Sequence, residues 1–486
     1  MNVGIFNLYW STFGGGEQQA GGIADALTGQ HHVELLGPDN IDLAVLRQRL
    51  GLKLDGVTTR KILSDPWAAT AASADYDVFI NHTYLSTAPN LARRGVYFVM
   101  FPGRLDQIGR RQRVVRKAHR LATAVRALGG VLPRPNGDLR VVGPVMLHVR
   151  ADTQSTLSVG FRSAEAVRIE TAIVEQRDVR QSVEMFGSQT ITVQVPAGPS
   201  HVLFSPQRSV VDPDDLHRAL NIDSCSLGDV RIDIDPRKIR QRLAAPDPTS
   251  FLDTYDTVVC LSQYTQHWTQ QWWGRGDVVI SPPVALRSPG TKQRLIVAVG
   301  RFFAPTHGHS KNQLQLVHAF RQLCELGHDD WKLVLIGGCS PEHRDYAMQV
   351  RRAAAGLPIE VRLNAPADVL NHNLAAATFF WHAAGLDTDI SKDPAAAEHF
   401  GIAPIEAMST GAVPIVYGQA GPKEVVEDNV SGMHFDTVQQ LAATTDRLIR
   451  DPHDLARLSA GAIARAQLYD AAHFADNVRA LINQDD

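Results

Sequence analysis

The stretch AAEHFGIAPIEAMSTG, residues 396–411, holds two glutamates, Glu398 and Glu406, eight positions apart. Pro404 suits the first turn of a helix, so we expect Glu406 to lie in that turn and the helix to end at Gly411. A carboxylate near a helix N-terminus can simply complement the helix dipole, which would explain Glu406 by itself. Glu398 has no such explanation, because it precedes a loop whose glycine lets backbone amides face a ligand. The pair points to a ligand site, and Glu398 is its stronger member.

Strands alternate with helices on the N-terminal side of this stretch. The amphipathic segment 312–327 predicts a helix, and apolar runs predict strands at 294–302, 331–338 and 377–385. The beginning of the chain repeats this order, with the apolar run 2–8 followed by a glycine-rich turn and a helical pattern. Such alternation predicts an α/β protein with two doubly wound parallel sheets.

The pattern changes between residues 140 and 210, where polar residues, glycines and prolines rather than helices separate short strand-like runs. This segment predicts an inserted antiparallel β module. A polar connector, ALRSPGTKQ at 285–293, ends the first α/β region. The predicted domains are an N-terminal Rossmann-like domain at 1–139 and 211–288, the β module at 140–210, and a C-terminal Rossmann-like domain at 289–486. The last helix of the chain is placed either in that domain or back on the first one.

Composition excludes several classes of protein. The chain has 486 residues, 44% hydrophobic and 20% charged residues and a net charge of −3, which is typical of a soluble protein of two or three domains without a nucleic-acid partner. Its four cysteines form no C-x-x-C pair and predict neither a zinc knuckle nor a disulfide framework. No signal-peptide pattern or membrane-spanning apolar run is visible, so the sequence predicts a cytoplasmic protein.

A glycine-rich turn and two cations lie where α/β folds bind ligands. The turn GGGE at 14–17 opens a helix and lets backbone amides approach an anion, although glycines that only make a tight turn are the alternative. It is not a dinucleotide fingerprint, because Gln19 stands at the third glycine position. Arg301 follows a strand and Lys311 precedes a helix, so together they suit a diphosphate. As isolated surface cations they would be solvated and inert.

Four segments of the chain resemble one enzyme family. They are EHFGIAPIEAMSTGAVPIVYGQAGPKEVV (398–426), FGGGE (13–17), GRFFAPTHGHSKNQ (300–313) and LVLIGG (333–338). Together they are similar to the retaining glycosyltransferases of family 4, whose E-x7-E signature corresponds to Glu398 and Glu406. The resemblance covers residues 295–435 and, more loosely, the first domain, and it leaves the β module outside. It implies the GT-B fold, in which two Rossmann-like domains face a cleft.

The resemblance also implies a role for each candidate residue. Glu406 would accept hydrogen bonds from the ribose of the donor, and Glu398 would lie beside the transferred sugar. Arg301 and Lys311 would neutralise the diphosphate. Further donor contacts would come from the backbone of Gly15, Gly16, Phe400, Gly401 and Ile402. These roles agree with the chemistry, since a departing nucleoside diphosphate develops negative charge that preorganised cations and amides stabilise without a metal.

One position departs from the family pattern. Relatives often place a histidine in the first domain, in a strand ending HFP or HYP, whereas the comparable segment VYFVMFPG (96–103) has Met100 in that place. His82 is the nearest substitute and is our candidate for a catalytic or sugar-contacting histidine. The alternative is a hydrogen-bonded structural residue at a strand end.

The resemblance implies a retaining, metal-independent hexosyltransferase that uses a nucleotide sugar and no other cofactor. GDP-mannose is the favoured donor and a UDP-sugar the alternative, with a glycan or a lipid-linked saccharide as acceptor. Two rival hypotheses stay open. One is a non-catalytic saccharide-binding scaffold of the GT-B shape, and the other is a sugar-nucleotide epimerase or phosphorylase of the same fold.

Three further patterns have an ordinary explanation. Asp387 and Asp389 form a D-x-D pattern, but a solvated loop is the better interpretation and we predict no metal site. His307 and His309 lack further ligands at a suitable spacing, so we interpret them as loop residues. The basic segment 104–120 is by default a solvated helix face. Its alternative is a surface for anionic lipid headgroups, which would place the protein peripherally at the inner face of the membrane.

Overall fold

The computed structural model describes residues 1–64, 66–104, 124–133, 139–174, 176–207, 220–232, 249–304 and 310–483. The chain divides into two compact units, Met1–Phe98 with Pro102–Val258 and Val99–Phe101 with Val259–Asp486. The first unit contains a parallel and an antiparallel sheet, and the second contains another parallel sheet. Among the described residues, no helix is long and apolar enough to cross a membrane.

A parallel sheet begins the first unit. Its strands are β1 (Asn2–Phe6), β2 (His32–Gly37), β3 (Thr58–Lys61), β4 (Val78–Asn81) and β5 (Arg94–Val99), in the order β5-β4-β1-β2-β3. The helices between them are α1 (Gly15–Leu27), α2 (Leu43–Leu50) and α3 (Pro66–Ser73). Nearly every residue of β1, β4 and β5 is buried. Burial on both faces explains why these strands are continuous apolar runs in the sequence.

An antiparallel sheet follows in the same unit. Its strands are β6 (Ala124–Pro133), β7 (Leu139–Ala151), β8 (Ser155–Ile173), β9 (Gln176–Val195), β10 (Gly198–Gln207), β11 (Leu220–Leu227) and β12 (Val230–Arg231). The order is β12-β11-β7-β10-β8-β9, with β6 paired to β7. One face buries a large apolar cluster that includes Leu147, Phe161 and Phe204. A second cluster joins Met146 and Leu203 of this sheet to Ala71 of α3.

This sheet is wider than the 140–210 segment that the sequence predicted for the β module. Its described strands begin at Ala124 and end at Arg231. The pairing of β6 with β7 shifts register around Gly129, and β11 has an irregularity between Ile222 and Ser224. Strands interrupted in this way lose the regular alternation from which strands are recognised in a sequence.

The second unit is organised around another parallel sheet. The chain passes through β13 (Thr257–Cys260), within which the two units divide, and then through helix α4 (Gln263–Trp273) and β14 (Val278–Val279), which pairs in parallel with β13. The second sheet comprises β15 (Gln293–Val299), β16 (Lys332–Gly337), β17 (Ile359–Leu363), β18 (Ala377–His382), β19 (Val413–Tyr417) and β20 (Met433–Phe435). The helices of this unit after α4 are α5 (Gln313–Glu325), α6 (Arg344–Ala354), α7 (Ala367–Ala376), α8 (Ile402–Ser409), α9 (Ala420–Val425), α10 (Val438–Arg450), α11 (Pro452–Ala466) and α12 (Ala471–Asn483).

The strand order of the second sheet places the candidate residues. The order is β17-β16-β15-β18-β19-β20, and the pairs are parallel. Because β15 and β18 are neighbours, the segments that follow Val299 and His382 leave the same edge of the sheet side by side. The carboxyl edge of such a sheet is where open α/β folds bind ligands.

Candidate active site

Helix α8 begins at Ile402 because Gly401, immediately before it, has a φ of 111°. Gly411, with a φ of 81°, follows the helix and confirms the predicted stop. The prediction that Glu406 lies in the first turn is wrong, since Glu406 is the fifth residue of α8. Gly401 starts the helix two residues earlier than Pro404 alone indicates. The helix dipole therefore does not explain Glu406, because its effect falls off within the first turn.

The backbone of Glu398 is fixed against the beginning of α9. The amide of Gly421 donates to the carbonyl oxygen of Glu398 at 3.0 Å. A Cβ on Gly421 would lie 2.5 Å from the carbonyl carbon of His399, so only glycine allows this approach. The Phe400 ring is buried and packs edge-on against Tyr469, with 5.7 Å between ring centres. These contacts leave the Glu398 loop little freedom to move.

Replacing Gly421 with alanine should therefore destabilise the second unit and displace the Glu398 loop. Forcing a methyl group against fixed backbone costs about 1–3 kcal/mol. Urea denaturation measures the loss. Gly338→Ala is a matched control, because its Cβ would meet its nearest neighbour, Cγ of Arg301, at 3.7 Å. Equal midpoints for the two variants would contradict the close approach described here.

Lys311 reaches from the segment before α5 to Glu398, and its Nζ forms an ion pair with Oε2 of that residue. The stem of Lys311 passes over Gly300, where a Cβ would collide with it. Asn312, held at a φ of 52°, donates from Nδ2 to the carbonyl oxygens of Ala383 and Leu386 at 2.9 and 3.0 Å. Lys311 is thus positioned by the segments that follow β15 and β18.

His382 lies beside this ion pair at the carboxyl end of β18. Its Nε2 is 3.5 Å from Oε2 of Glu398, and its side chain is 3% exposed. This distance is too long for a good hydrogen bond, and Nε2 has no other partner among the described residues. Burial lowers the pKa of His382, with Lys311 acting in the same direction and Glu398 opposing it. A neutral imidazole therefore faces the carboxylate.

Glu398 is held in its ionised form. Burial alone would raise its pKa, but the charge of Lys311 and the hydrogen bond from its Nζ outweigh burial and keep the pKa well below the ordinary value. The side chain keeps 20% exposure, so a ligand can still reach it. A permanent carboxylate next to a cation can accept hydrogen bonds from hydroxyl groups and stabilise developing positive charge. It cannot act as an acid near neutral pH.

Arg301 lies on the loop after β15 with an exposed side chain. Its guanidinium carbon is 5.6 Å from the centre of the Phe303 ring. Gln313 fixes the backbone here by donating from Nε2 to the carbonyl oxygens of Gly300 and Arg301 at 3.2 and 3.1 Å. Within the part of the chain that the structure describes, no ion pair joins Arg301 to Glu398 or Glu406. The structure thus brings Lys311 and Glu398 together and leaves the Arg301 guanidinium exposed on the same edge of the sheet.

Glu406 is paired with a residue that the sequence analysis missed. Nη2 of Arg287 donates to Oε1 of Glu406, and the two side chains are 21% and 15% exposed. Burial raises the pKa of Glu406, and the charge of Arg287 opposes the rise. Arg287 was overlooked because it lies in the connector ALRSPGTKQ, whose polar residues indicated only a linker. No local pattern marks an arginine whose partner is more than a hundred residues away.

The first-unit candidates lie around α1 and β4. Gly15 and Gly16 form the first turn of α1, and Glu17 folds back so that its Oε2 accepts from the Gly14 amide at 2.7 Å. His82 is fully buried, and its Nε2 is 3.1 Å from Oε1 of Gln19. Burial lowers the pKa of His82 to about 4. Nδ1 of His82 is buried without a partner among the described residues, so the structural and the sugar-contacting roles both stay predictions.

The remaining patterns behave as surface features where they are described. Asp389 pairs with Lys392, and Asp387 accepts a hydrogen bond from Gln315 at 2.8 Å. In the described ranges, no group of three or more histidine, cysteine or acidic side chains is arranged to hold a metal ion. His307, His309 and residues 105–120 of the basic segment lie outside the described residues, so those interpretations stay predictions.

Comparison with known proteins shows what the segment that carries this arrangement is similar to. Residues 287–465 match the family model described as glycosyl transferases group 1. The matched segment is less than half of the chain. It contains Arg287, Lys311, His382, Glu398 and Glu406, so the two ion pairs and the adjoining histidine all lie within the matched segment.

The chain also has curated relatives over part of its length. The chain is 30% identical over 169 residues to a Xenopus laevis protein named GDP-Man:Man(3)GlcNAc(2)-PP-Dol alpha-1,2-mannosyltransferase, which covers 32% of this chain and 32% of that protein. A Dictyostelium discoideum protein of the same name is 25% identical over 238 residues, covering 45% of each. The chain therefore matches less than half the length of these relatives.

Solved structures extend the comparison beyond the matched segment. The Anabaena protein HepE, determined in complex with UDP, has a TM-score of 0.58 and 13% identity and is matched over 100% of both chains. A sucrose-phosphate synthase from Thermosynechococcus elongatus has a TM-score of 0.53 with 14% identity, over 100% of this chain and 98% of that one. These likenesses confirm the predicted GT-B fold. The assignment to family 4 stays a prediction.

Proposed function

We propose that this protein is a retaining glycosyltransferase that moves a sugar from a nucleotide-sugar donor to a glycan or lipid-linked acceptor. The observation that carries the proposal is the Lys311–Glu398 ion pair at the carboxyl edge of the parallel sheet, in the segment that matches the group 1 glycosyl transferase model. A cation and an ionised carboxylate held together here are suited to a diphosphate and to the sugar attached to it.

The leaving group sets the first chemical requirement. When the bond between sugar C1 and the phosphate oxygen breaks, the nucleoside diphosphate gains negative charge. Lys311 and Arg301 are placed to stabilise that charge, and the amides of Gly401 and Ile402 at the beginning of α8 add partial positive charge. We propose that the diphosphate replaces Glu398 as the partner of Lys311. No metal is required by this arrangement.

Glu398 then serves the sugar. Freed from Lys311, its carboxylate can accept hydrogen bonds from sugar hydroxyls and stabilise the positive charge that develops at C1. The acceptor hydroxyl attacks from the face that the diphosphate leaves, its oxygen bonds to C1, and its proton passes to a phosphate oxygen. This route retains the configuration at C1. In this route neither Glu398 nor Glu406 forms a bond to C1.

GDP-mannose is the proposed donor, and a UDP-sugar is the alternative. The names of the Xenopus and Dictyostelium relatives support GDP-mannose and a lipid-linked glycan as acceptor. That support extends only to the matched part of those proteins.

A donor panel tests the proposal. The full chain is incubated with GDP-mannose, UDP-glucose, ADP-glucose and dTDP-glucose, with and without simple mannosides and glucosides as acceptors. Released nucleoside diphosphate is measured by chromatography and the anomeric configuration of the product by NMR. We expect release from one donor and a product that keeps the donor's configuration. No release from any donor would instead indicate a saccharide-binding scaffold, and an epimerised donor with its nucleotide still attached would indicate an epimerase.

A further inference from the structure

Arg287 links Glu406 to two other segments of the second unit. Nη2 of Arg287 contacts Oε1 of Glu406 in α8, and Nη1 contacts Oδ1 of Asn371 in α7. The backbone amide of Arg287 donates to Oγ of Ser409 at 2.9 Å. A planar guanidinium can hold two acceptors at once, which a lysine ammonium on a flexible stem does less well. The connector, α7 and α8 are thus joined at one side chain.

The chain just before the connector is also fixed in position. The amide of Val284 donates to the carbonyl oxygen of Tyr469 at 2.8 Å, and the Val284 side chain is buried with Ile405 and Met408 of α8. Oγ of Ser409 also donates to the carbonyl oxygen of Glu406 at 2.7 Å. The backbone of Arg287 therefore has a fixed position relative to α8, and its guanidinium contacts only one oxygen of the Glu406 carboxylate.

Arg287 occupies only one of the two carboxylate oxygens. Oε2 of Glu406 makes no hydrogen bond within the described ranges, although the side chain is mostly buried. An ionised carboxylate has room for about four hydrogen bonds, so Oε2 can accept from a ligand. Nε of Arg287 is also buried without a partner among the described residues. Leaving a buried N–H group such as Nε unsatisfied costs free energy, which a purely structural ion pair would avoid.

We propose that Arg287 is a positioning residue for the donor: it holds Oε1 of Glu406 so that Oε2 faces the vicinal hydroxyls of the donor ribose. The inference rests on the proposed function and deepens it, because it names the residue that lets the domain prefer a ribonucleotide. Without Arg287, Glu406 can rotate and share both oxygens with solvent. The domain would then bind ribose and 2′-deoxyribose nucleotides almost equally.

Calorimetric titration of the full chain with four nucleotides tests this inference. UDP and GDP are compared with 2′-deoxy-UDP and 2′-deoxy-GDP. A hydrogen bond to a charged group corresponds to about tenfold or more in affinity, so we expect the wild type to prefer its ribonucleotide by that factor. In Arg287→Ala, Glu406 no longer holds this hydrogen bond in place, so the preference for the ribonucleotide should fall below about twofold. Arg287→Lys should keep part of the preference, because lysine retains the positive charge but lacks the planar guanidinium that holds two acceptors at once.

A surface arginine supplies the matched control. Arg294 pairs with Asp330 where the side chains are 69% and 48% exposed, and Arg294→Ala should keep the wild-type preference. Glu406→Gln should lose the preference, and adding Arg287→Ala to it should have no further effect.

The possible results distinguish a failure of this inference from a failure of the proposed function. If the wild type binds none of the four nucleotides, the proposed function is wrong. If the wild type prefers the ribonucleotide and Arg287→Ala prefers it equally, the positioning role is wrong. Circular dichroism shows whether Arg287→Ala folds. If it does not, Arg287→Lys decides, and an unchanged ribose preference in that variant would overturn the inference.

Discussion

Replacing Glu398 with alanine should abolish sugar transfer with little loss of the folded state. The carboxylate is ionised, partly exposed and placed beside the cation that would hold the diphosphate. Removing a preorganised charge from such a site lowers kcat by about 10²–10³-fold. Transfer is measured with the donor that the panel identifies, and folding is measured by circular dichroism and urea denaturation.

Two further variants make this test specific to the charge of Glu398. Glu398→Gln keeps the size and hydrogen-bonding groups of the side chain but lacks its charge, so it should be nearly as inactive as alanine. Asp389→Ala removes a carboxylate of the D-x-D pattern, which pairs with Lys392 on the surface and should not affect transfer. Near-normal turnover in Glu398→Ala would remove Glu398 from the proposed mechanism. A large loss of transfer in Asp389→Ala would instead indicate that the D-x-D pattern takes part in the reaction.

Lys311→Ala should weaken use of the donor about 10–100-fold in kcat/KM, since Lys311 makes a charge-assisted contact with the diphosphate. Most of the loss should appear in KM if Lys311 binds the diphosphate before the bond breaks. Lys332→Ala is the control, because Lys332 pairs with Glu360 on the surface and lies away from the site. Equal kinetics in the two variants would show that Lys311 does not contact the donor.

The pH profile gives Lys311→Ala a second, independent readout. In the wild type, Lys311 keeps the pKa of Glu398 far below its ordinary value, so lowering the pH from 7 should not protonate Glu398. Without Lys311 the effect of burial remains and raises that pKa. The acid limb of kcat/KM should therefore move to higher pH in Lys311→Ala. An unchanged limb would mean that Lys311 does not control the charge of Glu398.

Much of the fold and part of the site could be predicted because they depend on local pattern. Continuous apolar strands alternating with helices indicated two parallel sheets. Lys311 and Glu398 were both predicted as donor contacts, and the structure joins them because β15 and β18 are neighbours in one sheet. The start of α8 was misjudged, since the sequence shows Pro404 plainly but does not show the φ of 111° at Gly401.

The two strand-end histidines show what local pattern cannot decide. His82 and His382 each end or follow a buried strand, and the sequence analysis selected His82 by comparison with the family. The structure seals His82 against Gln19, whereas His382 faces Glu398. Arg287 was missed for a similar reason, because its partner Glu406 comes from a distant part of the chain. Long-range packing, rather than residue type, decides which of such residues join a site.

Thermal denaturation in the presence of GDP, UDP, ADP and dTDP, and of their sugars, tests most directly whether the Lys311–Glu398 cluster binds a nucleotide sugar. A ligand present at 100 times its Kd stabilises the folded state by about 2.7 kcal/mol, which should raise the Tm of the second unit by about 5–10 °C. We expect such a shift for at least one nucleotide with the wild type and a much smaller one with Lys311→Ala. No shift with any nucleotide at millimolar concentration, or an equal shift in Lys311→Ala, would contradict the proposed site.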